Sequence, residues 1–408
     1  MRALATGRRR SGLRWSSVRA AYERTALTLL GLGVTLPVFL TPGQVSGPRL
    51  GDLALAVALP MAGVEWGRMT ATLRAAGPAA ALVLVVTLLV QASSVGPGLN
   101  TADAVFWFRW IAAVLVAPAA ASVILRDAGR RRLFFAAILT GAVCHLATYG
   151  LAILAGREAL QAVGLVSPRA VVTTAAAHVR MTTLAEHPNA AMAMIGLAVP
   201  AALILARGRA AATAGFGVAI LGFVSTLSRG GMAAAVLAGL ARVVVGRQRG
   251  ERANPLGVML AVCLLAGGLA VAQSGRIEMD GERLAGRFDR ATLADNLAGR
   301  METWRRTLDQ VMERPLGAGW TTAKEMGAYR AASVSHNGYL FTARTAGVIV
   351  ALILLGLHLW SAARMDALTP LSVYVLAAMF SEDLTQGAGF VFLACLVAVL
   401  AWRRRLAP

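Results

Sequence analysis

The 408-residue chain is poor in charge. Charged residues make up 15% of it, against about 25% in a soluble globular domain, which excludes an ordinary water-soluble protein. Lysine is almost missing: Lys324 stands alone among 40 basic residues. Acidic residues number only 20, leaving a formal net charge of +20. Cysteine is scarce too. Cys144, Cys263 and Cys395 each lie in an apolar run with no CxxC spacing, which excludes a disulfide framework or a cysteine metal cluster. The sequence has no P-loop, no GxSxG and no DxD-like acidic pair, so it offers no signal for a phosphate-cradling loop, a nucleophile elbow or a divalent-metal site. The basic residues are scattered between apolar runs and form no stripe, so nucleic acid is not an expected partner.

What the chain has in quantity is apolar length. Hydrophobic residues reach 57% and mean hydropathy is +0.64. An oily chain with a one-sign charge excess reads as a polytopic membrane protein with basic loops. A bilayer core takes about 20 apolar residues per helix. On that measure the expected fold is all-α, with about twelve spans near 25–41, 52–66, 75–92, 103–125, 133–155, 189–206, 210–227, 230–246, 255–273, 335–359, 369–382 and 387–402. The start, MRALATGRRRSGLRW, resembles a signal-peptide n-region, but 25–41 has no small-x-small cleavage site and reads as the first span. One transmembrane domain, 25–402, is thus expected between a basic tail, 1–24, and a short tail, 403–408.

The basic residues orient this arrangement. With the N-terminus in the cytoplasm, and with charges at span ends counted on the side they border, the inner side holds 23 basic and five acidic residues and the outer side 15 of each. Positive charge therefore collects inside, as the orientation rule requires, and both termini are expected in the cytoplasm. Two outer segments are long, 156–188 and 274–334. The second contains Leu297, Met301, Trp304, Leu308, Val311 and Met312 at helical spacing. That predicts an amphipathic helix near 297–313, ended by Pro315 and Gly317. Its stripe would lie on the membrane surface or pack over the bundle, with Arg300 on the flank.

Polar residues in or beside membrane spans are functional candidates, and four groups collect on the outer side. HVRMTTLAEHPN holds His178, Arg180, Glu186, His187 and Asn189 before span six, with Asn189 as the expected helix cap. STLSRGG puts Arg229 in a tight turn at the start of span eight, where a guanidinium and free backbone N–H groups suit phosphate. RMETW carries Arg300 and Trp304. SVSHNGYLFTAR carries His336, Asn337, Tyr339 and Arg344, with an imidazole that can act as base, acid or anion donor. Arg344 and Arg109 fall inside spans and need anionic partners or water.

In this order, with the long outer loop between SRG and HN, the motifs resemble the O-antigen ligase and polymerase superfamily of bacterial envelope glycosyltransferases. The matching residues are Arg180 with PN at 188–189, SRGG at 228–231, Arg300–x3–Trp304, RPLGAGW at 314–320, and HNGYL at 336–340 followed by Gly347. The resemblance covers roughly 178–350. It departs from the family at Thr182 and Thr183, where a glycine is common, and at Thr345, where an acidic residue is common.

The resemblance implies an inverting transferase without metal or other cofactor, in the bacterial inner membrane with its site on the periplasmic side. The donor would be a glycan on undecaprenyl pyrophosphate, and the acceptor a hydroxyl of another glycan, lipid A core or similar molecule. Membrane lipids are the remaining expected partners. Arg229 and Arg300 would hold the pyrophosphate, and His336 would act as base or orient a substrate. Arg180 would be a further donor contact, joined in substrate binding by Asn189, Asn337, Tyr339 and Trp304. Glu186, His187 and Arg344 are secondary candidates. The alternative is a transporter or flippase of lipid-linked oligosaccharide. It would be expected to carry charge at the midplane and repeated halves, whereas these residues gather on one rim.

Overall fold

The computed structural model describes residues 3–38, 40, 48–95, 101–163, 165, 184–185, 187–205, 209–226, 228–248, 290–319, 336–382 and 384–403. Expected span nine, 255–273, and the site residues Arg180 and Glu186 lie outside them, as does His178. Among the described residues the regular elements are helices, with no strand. In chain order they are α1 (Ala3–Thr35), α2 (Leu50–Glu65), α3 (Ala71–Val95), α4 (Thr101–Arg126), α5 (Ala128–Ala155) and α6 (Arg157–Ala162). Then follow α7 (Pro188–Ile195), α8 (Ala198–Leu205), α9 (Arg209–Thr226), α10 (Arg229–Gln248) and α11 (Arg290–Glu313). The last four are α12 (Gly338–Ala346), α13 (Val348–Ala363), α14 (Thr369–Ser381) and α15 (Ala388–Val399). Helix α15, buried along its whole length, packs on α4, α13, α1 and α2. Helix α10 packs along α14, which brings the SRGG turn to the end of α14.

Among the described residues six segments are long and apolar enough to cross a membrane by length and composition: Leu50–Arg68, Ala71–Leu89, Ala104–Arg126, Ala128–Ala152, Pro188–Leu205 and Arg229–Gln248. Ala212–Thr226, Val348–Ala363, Thr369–Ser381 and Ala388–Trp402 are shorter apolar helices. Three boundaries differ from the sequence expectation. Helix α1 starts not at 25 but at Ala3 and runs unbroken to Thr35. Expected span six is split at Gly196 and Leu197. There Tyr374 donates its hydroxyl to Ala193 O at 2.6 Å, and Pro200 has no N–H to give the Gly196 carbonyl.

Expected span ten is split at Gly347, where φ is +103°, a backbone conformation glycine adopts without steric cost. The RPLGAG stretch supplies the lost helix bonds. Val348 N donates to Pro315 O at 2.9 Å, Ala318 N to Arg344 O at 2.8 Å and Gly319 N to Thr345 O at 3.1 Å. A Cβ on Gly347 would lie 2.9 Å from Leu316 O. So RPLGAG is a clasp that satisfies the backbone of a broken span.

The bundle matches its internal charges. Arg109 forms a two-point contact with Asp52, Nε to Oδ1 at 2.6 Å and Nη2 to Oδ2 at 2.8 Å. Asp52 also accepts from Arg49 N at the start of α2. At the other end of these helices, buried Glu23 and Glu65 hold Arg19, Arg126 and Arg130, tying α1, α2, α4 and α5 together. Arg403, the first residue of the expected short tail, is buried. It pairs with Asp366 at 2.6 Å and donates to Ser361.

Candidate active site

Three helix starts and one helix end meet around Glu382. Helix α7 starts at His187, whose Nδ1 accepts from Asn189 N at 3.3 Å. The cap is thus His187, not the expected Asn189, which is buried at the second helical position. Pro188 at the first position needs no hydrogen-bond acceptor. Helix α10 starts at Arg229. Helix α12 is capped by Asn337, whose Oδ1 accepts from Tyr339 N and Leu340 N at 3.0 and 3.1 Å. The helix end is the last turn of α14, Ser381–Glu382. Helix N-termini carry partial positive charge and open N–H groups, so this corner favours an anion.

Motif glycines allow the elements to meet. A Cβ on Gly230 would sit 2.7 Å from Ser381 Cβ, and one on Gly231 2.7 Å from Met192 Cγ. A Cβ on Gly338 would sit 2.7 Å from Met379 Sδ and 3.2 Å from Glu382 O. The glycines of SRGG and HNG therefore clamp the end of α14 from two sides. Gly230→Ala is expected to cost about 1–3 kcal/mol, as overpacking does, and to lower the thermal unfolding midpoint in proteoliposomes.

On this frame sit the charged groups. His336 Nδ1 lies 3.2 Å from Glu382 Oε2. A carboxylate only accepts, so Nδ1 is the donor of this pair, and in the neutral imidazole Nε2 keeps the lone pair. His336 has a φ of +48°, a left-handed conformation that few residues other than glycine adopt. Arg300, reaching in from α11, contacts the other carboxylate oxygen at 3.5 Å and donates to Ser381 O at 3.3 Å. Glu382 is almost fully buried, whereas His336 and Arg300 are part-exposed. The carboxylate thus holds an imidazole and a guanidinium from below. The His187 and His336 rings lie 5.8 Å apart, centre to centre. Arg229 is close enough to Arg300 for their positive charges to repel. Ser228 Oγ and Trp304 Nε1 are buried without a hydrogen-bond partner, and so is Glu382 Oε1 apart from its ion-pair contact. Among the described residues no three His, Cys, Asp or Glu side chains are grouped to hold a metal ion.

Other candidates lie elsewhere. The Tyr339 hydroxyl is turned into the bundle, 2.8 Å from His358 Nδ1, and His358 Nε2 is 2.8 Å from Ala394 O. Tyr339→Phe is expected to leave turnover per folded molecule unchanged. It should cost about 1–3 kcal/mol, because a buried acceptor on His358 loses its donor; paired melting and activity curves check both. Arg344 is buried in the last turn of α12, where the helix dipole favours a cation, with its guanidinium 5.6 Å from the Phe341 ring centre. Asn337 serves as a cap.

Residues 214–355 match the family model described as O-antigen ligase (Wzy_C). No curated protein matches the chain. The matched segment contains Arg229, Arg300 and His336, so the family match and the motif resemblance overlap at the heart of the cluster. The match supports a likeness to membrane glycan ligases and polymerases, a family that implies a lipid-linked glycan and an acceptor. Glu382 and His187 lie outside the matched segment and are brought to its residues only by the fold. Glu382 is the member that sequence reasoning missed. It follows a short apolar helix, 46 residues from His336, with no motif around it.

Proposed function

We propose that the protein is a membrane glycosyltransferase. In this reading it moves or polymerises glycan from an undecaprenyl-pyrophosphate donor onto an acceptor hydroxyl, at the periplasmic face of the inner membrane. The observation that carries it is the convergence of Arg300 and His336 on Glu382, with Arg229 in electrostatic range. Two mutually repelling guanidinium groups beside three helix starts make a strong anion site. A pyrophosphate between them would turn repulsion into attraction. His336 Nε2 takes the proton of the acceptor hydroxyl as its oxygen attacks the anomeric carbon. The anomeric C–O bond to the pyrophosphate breaks, and lipid pyrophosphate leaves with the bonding pair. Attack opposite the leaving group inverts the anomeric centre. Arg229 and Arg300 stabilise the charge that develops on the leaving oxygen, and no metal is required for that role. Glu382 holds the His336 tautomer that leaves Nε2 free.

The test is reconstitution with a lipid-linked oligosaccharide in the presence of a chelator, scoring release of lipid pyrophosphate and the size of the product. Release with a ladder of products is the polymerase result, and release with a single mass increment on an acceptor is the ligase result. No release would refute the enzyme reading.

A further inference from the structure

Helix α11 has two apolar edges. One faces the protein: Thr307 and Val311 are buried, and Val311 packs with Ala343 of α12 and with Val348 and Ala351 at the start of α13. Arg300 lies on this edge, two turns before Thr307. The other edge, about a quarter turn away, holds Leu297, Met301, Leu308 and Met312. These are 59%, 60%, 48% and 79% exposed, and Leu316 beyond the helix is 48% exposed. Apolar side chains in such a line are unlike the scattered ones of an ordinary surface. The line runs onto α13, an apolar helix whose Ile349, Leu352 and Ile353 are 57%, 61% and 52% exposed. Val311 anchors the end of α11 at the depth of that first turn. The opposite side of α11 is charged and exposed, with Glu302 and Arg306 paired at 2.8 Å and Asp309 nearby.

We propose that α11 is seated in the bilayer interface, in the leaflet at the His336 end of the bundle. Leu297, Met301, Leu308 and Met312 lie among acyl chains, and Glu302, Arg306 and Asp309 face water. Lipid is the occupant because the exposed edge continues the outward surface of an apolar helix, and a helix with one apolar and one charged face partitions into that boundary. Arg300 adjoins Met301 on the same helix turn, so this seating sets the guanidinium at the depth of lipid phosphates. Only this last consequence rests on the proposed function.

The test places an environment-sensitive fluorescent amino acid, by amber suppression, at Met301, Leu308 or Met312, and at Arg306 or Asp309 as controls. The full chain is used in proteoliposomes. Blue-shifted emission at 301, 308 and 312, quenched by brominated lipid and not by iodide, is expected, with the reverse at 306 and 309. Quenching by iodide at the first three positions overturns the proposal. Protection from both quenchers overturns it too, because protein would then cover the edge. As a second measurement, Leu308→Asp with Met312→Asp should abolish brominated-lipid quenching at 301; retained quenching overturns the seating. None of these readouts needs turnover. Lipid contact in a protein that transfers no glycan would count against the proposed function alone.

Discussion

Glu382→Gln is expected to lower glycan transfer by about two to four orders of magnitude while the protein still inserts and folds. The glutamine has the same shape, so packing against Gly338 survives. What changes is the proton on His336. Glu382 accepts from Nδ1, so in the neutral imidazole Nε2 is the nitrogen without a proton. A glutamine amide can offer an N–H to Nδ1, which moves the ring proton to Nε2, where it blocks the acceptor hydroxyl. Loss of the equivalent carboxylate in a Ser-His-Asp triad costs about 10⁴ in turnover by this tautomer effect. Glu382→Asp keeps the charge and shortens the reach, so it should recover part of the rate. The measurement is single-turnover release of lipid pyrophosphate with saturating donor. Glu382→Gln should lower the rate far more than it raises the donor concentration needed. Equal rates for wild type and Glu382→Gln would remove Glu382 from the mechanism.

The parts of this site that were legible in the sequence are those set by local physics. The stripe at 297–312 has the period of a helix, and α11 is there, extended at its start to Arg290. The sequence could not say which edge of the stripe faces protein, because that depends on where α12 and α13 lie. Arg229, Arg300 and His336 were visible as ionisable groups beside apolar runs. The splits at Gly196 and Gly347 were hidden because hydropathy averages over a span and sees length, not backbone bonds. Gly347, preceded by the RPLGAG stretch at 314–319, was a signal of the second split, readable only once the two segments are known to touch. The Asn189 expectation failed for a local reason: proline at the first helical position moves the cap back to His187. Arg109 looked unpaired because Asp52 lies two helices away in sequence, and Glu382 looked ordinary for the same reason. Charge partners between helices are tertiary facts.

The guanidinium pair should respond to substitution in two distinct ways. Arg229→Ala and Arg300→Ala are each expected to lower transfer by at least about 10²–10³, the usual cost of removing one preorganised donor from a developing anion. Lysine replacements separate charge from geometry. A lysine supplies a point charge without the two-pronged fork, so Arg229→Lys should recover only a small part of the rate if both prongs grip phosphate oxygens. Full recovery by Arg229→Lys would sink the two-pronged clamp and leave a simple electrostatic role. Arg300 has a second duty, since it touches Ser381 O and the Glu382 carboxylate. Combining Arg300→Ala with Glu382→Gln should therefore cost less than the two single losses together, because neighbours that share a partner are not additive. Single-turnover rates of the two single variants and the double variant measure this coupling. Full additivity would mean that Arg300 meets Glu382 without helping to hold it.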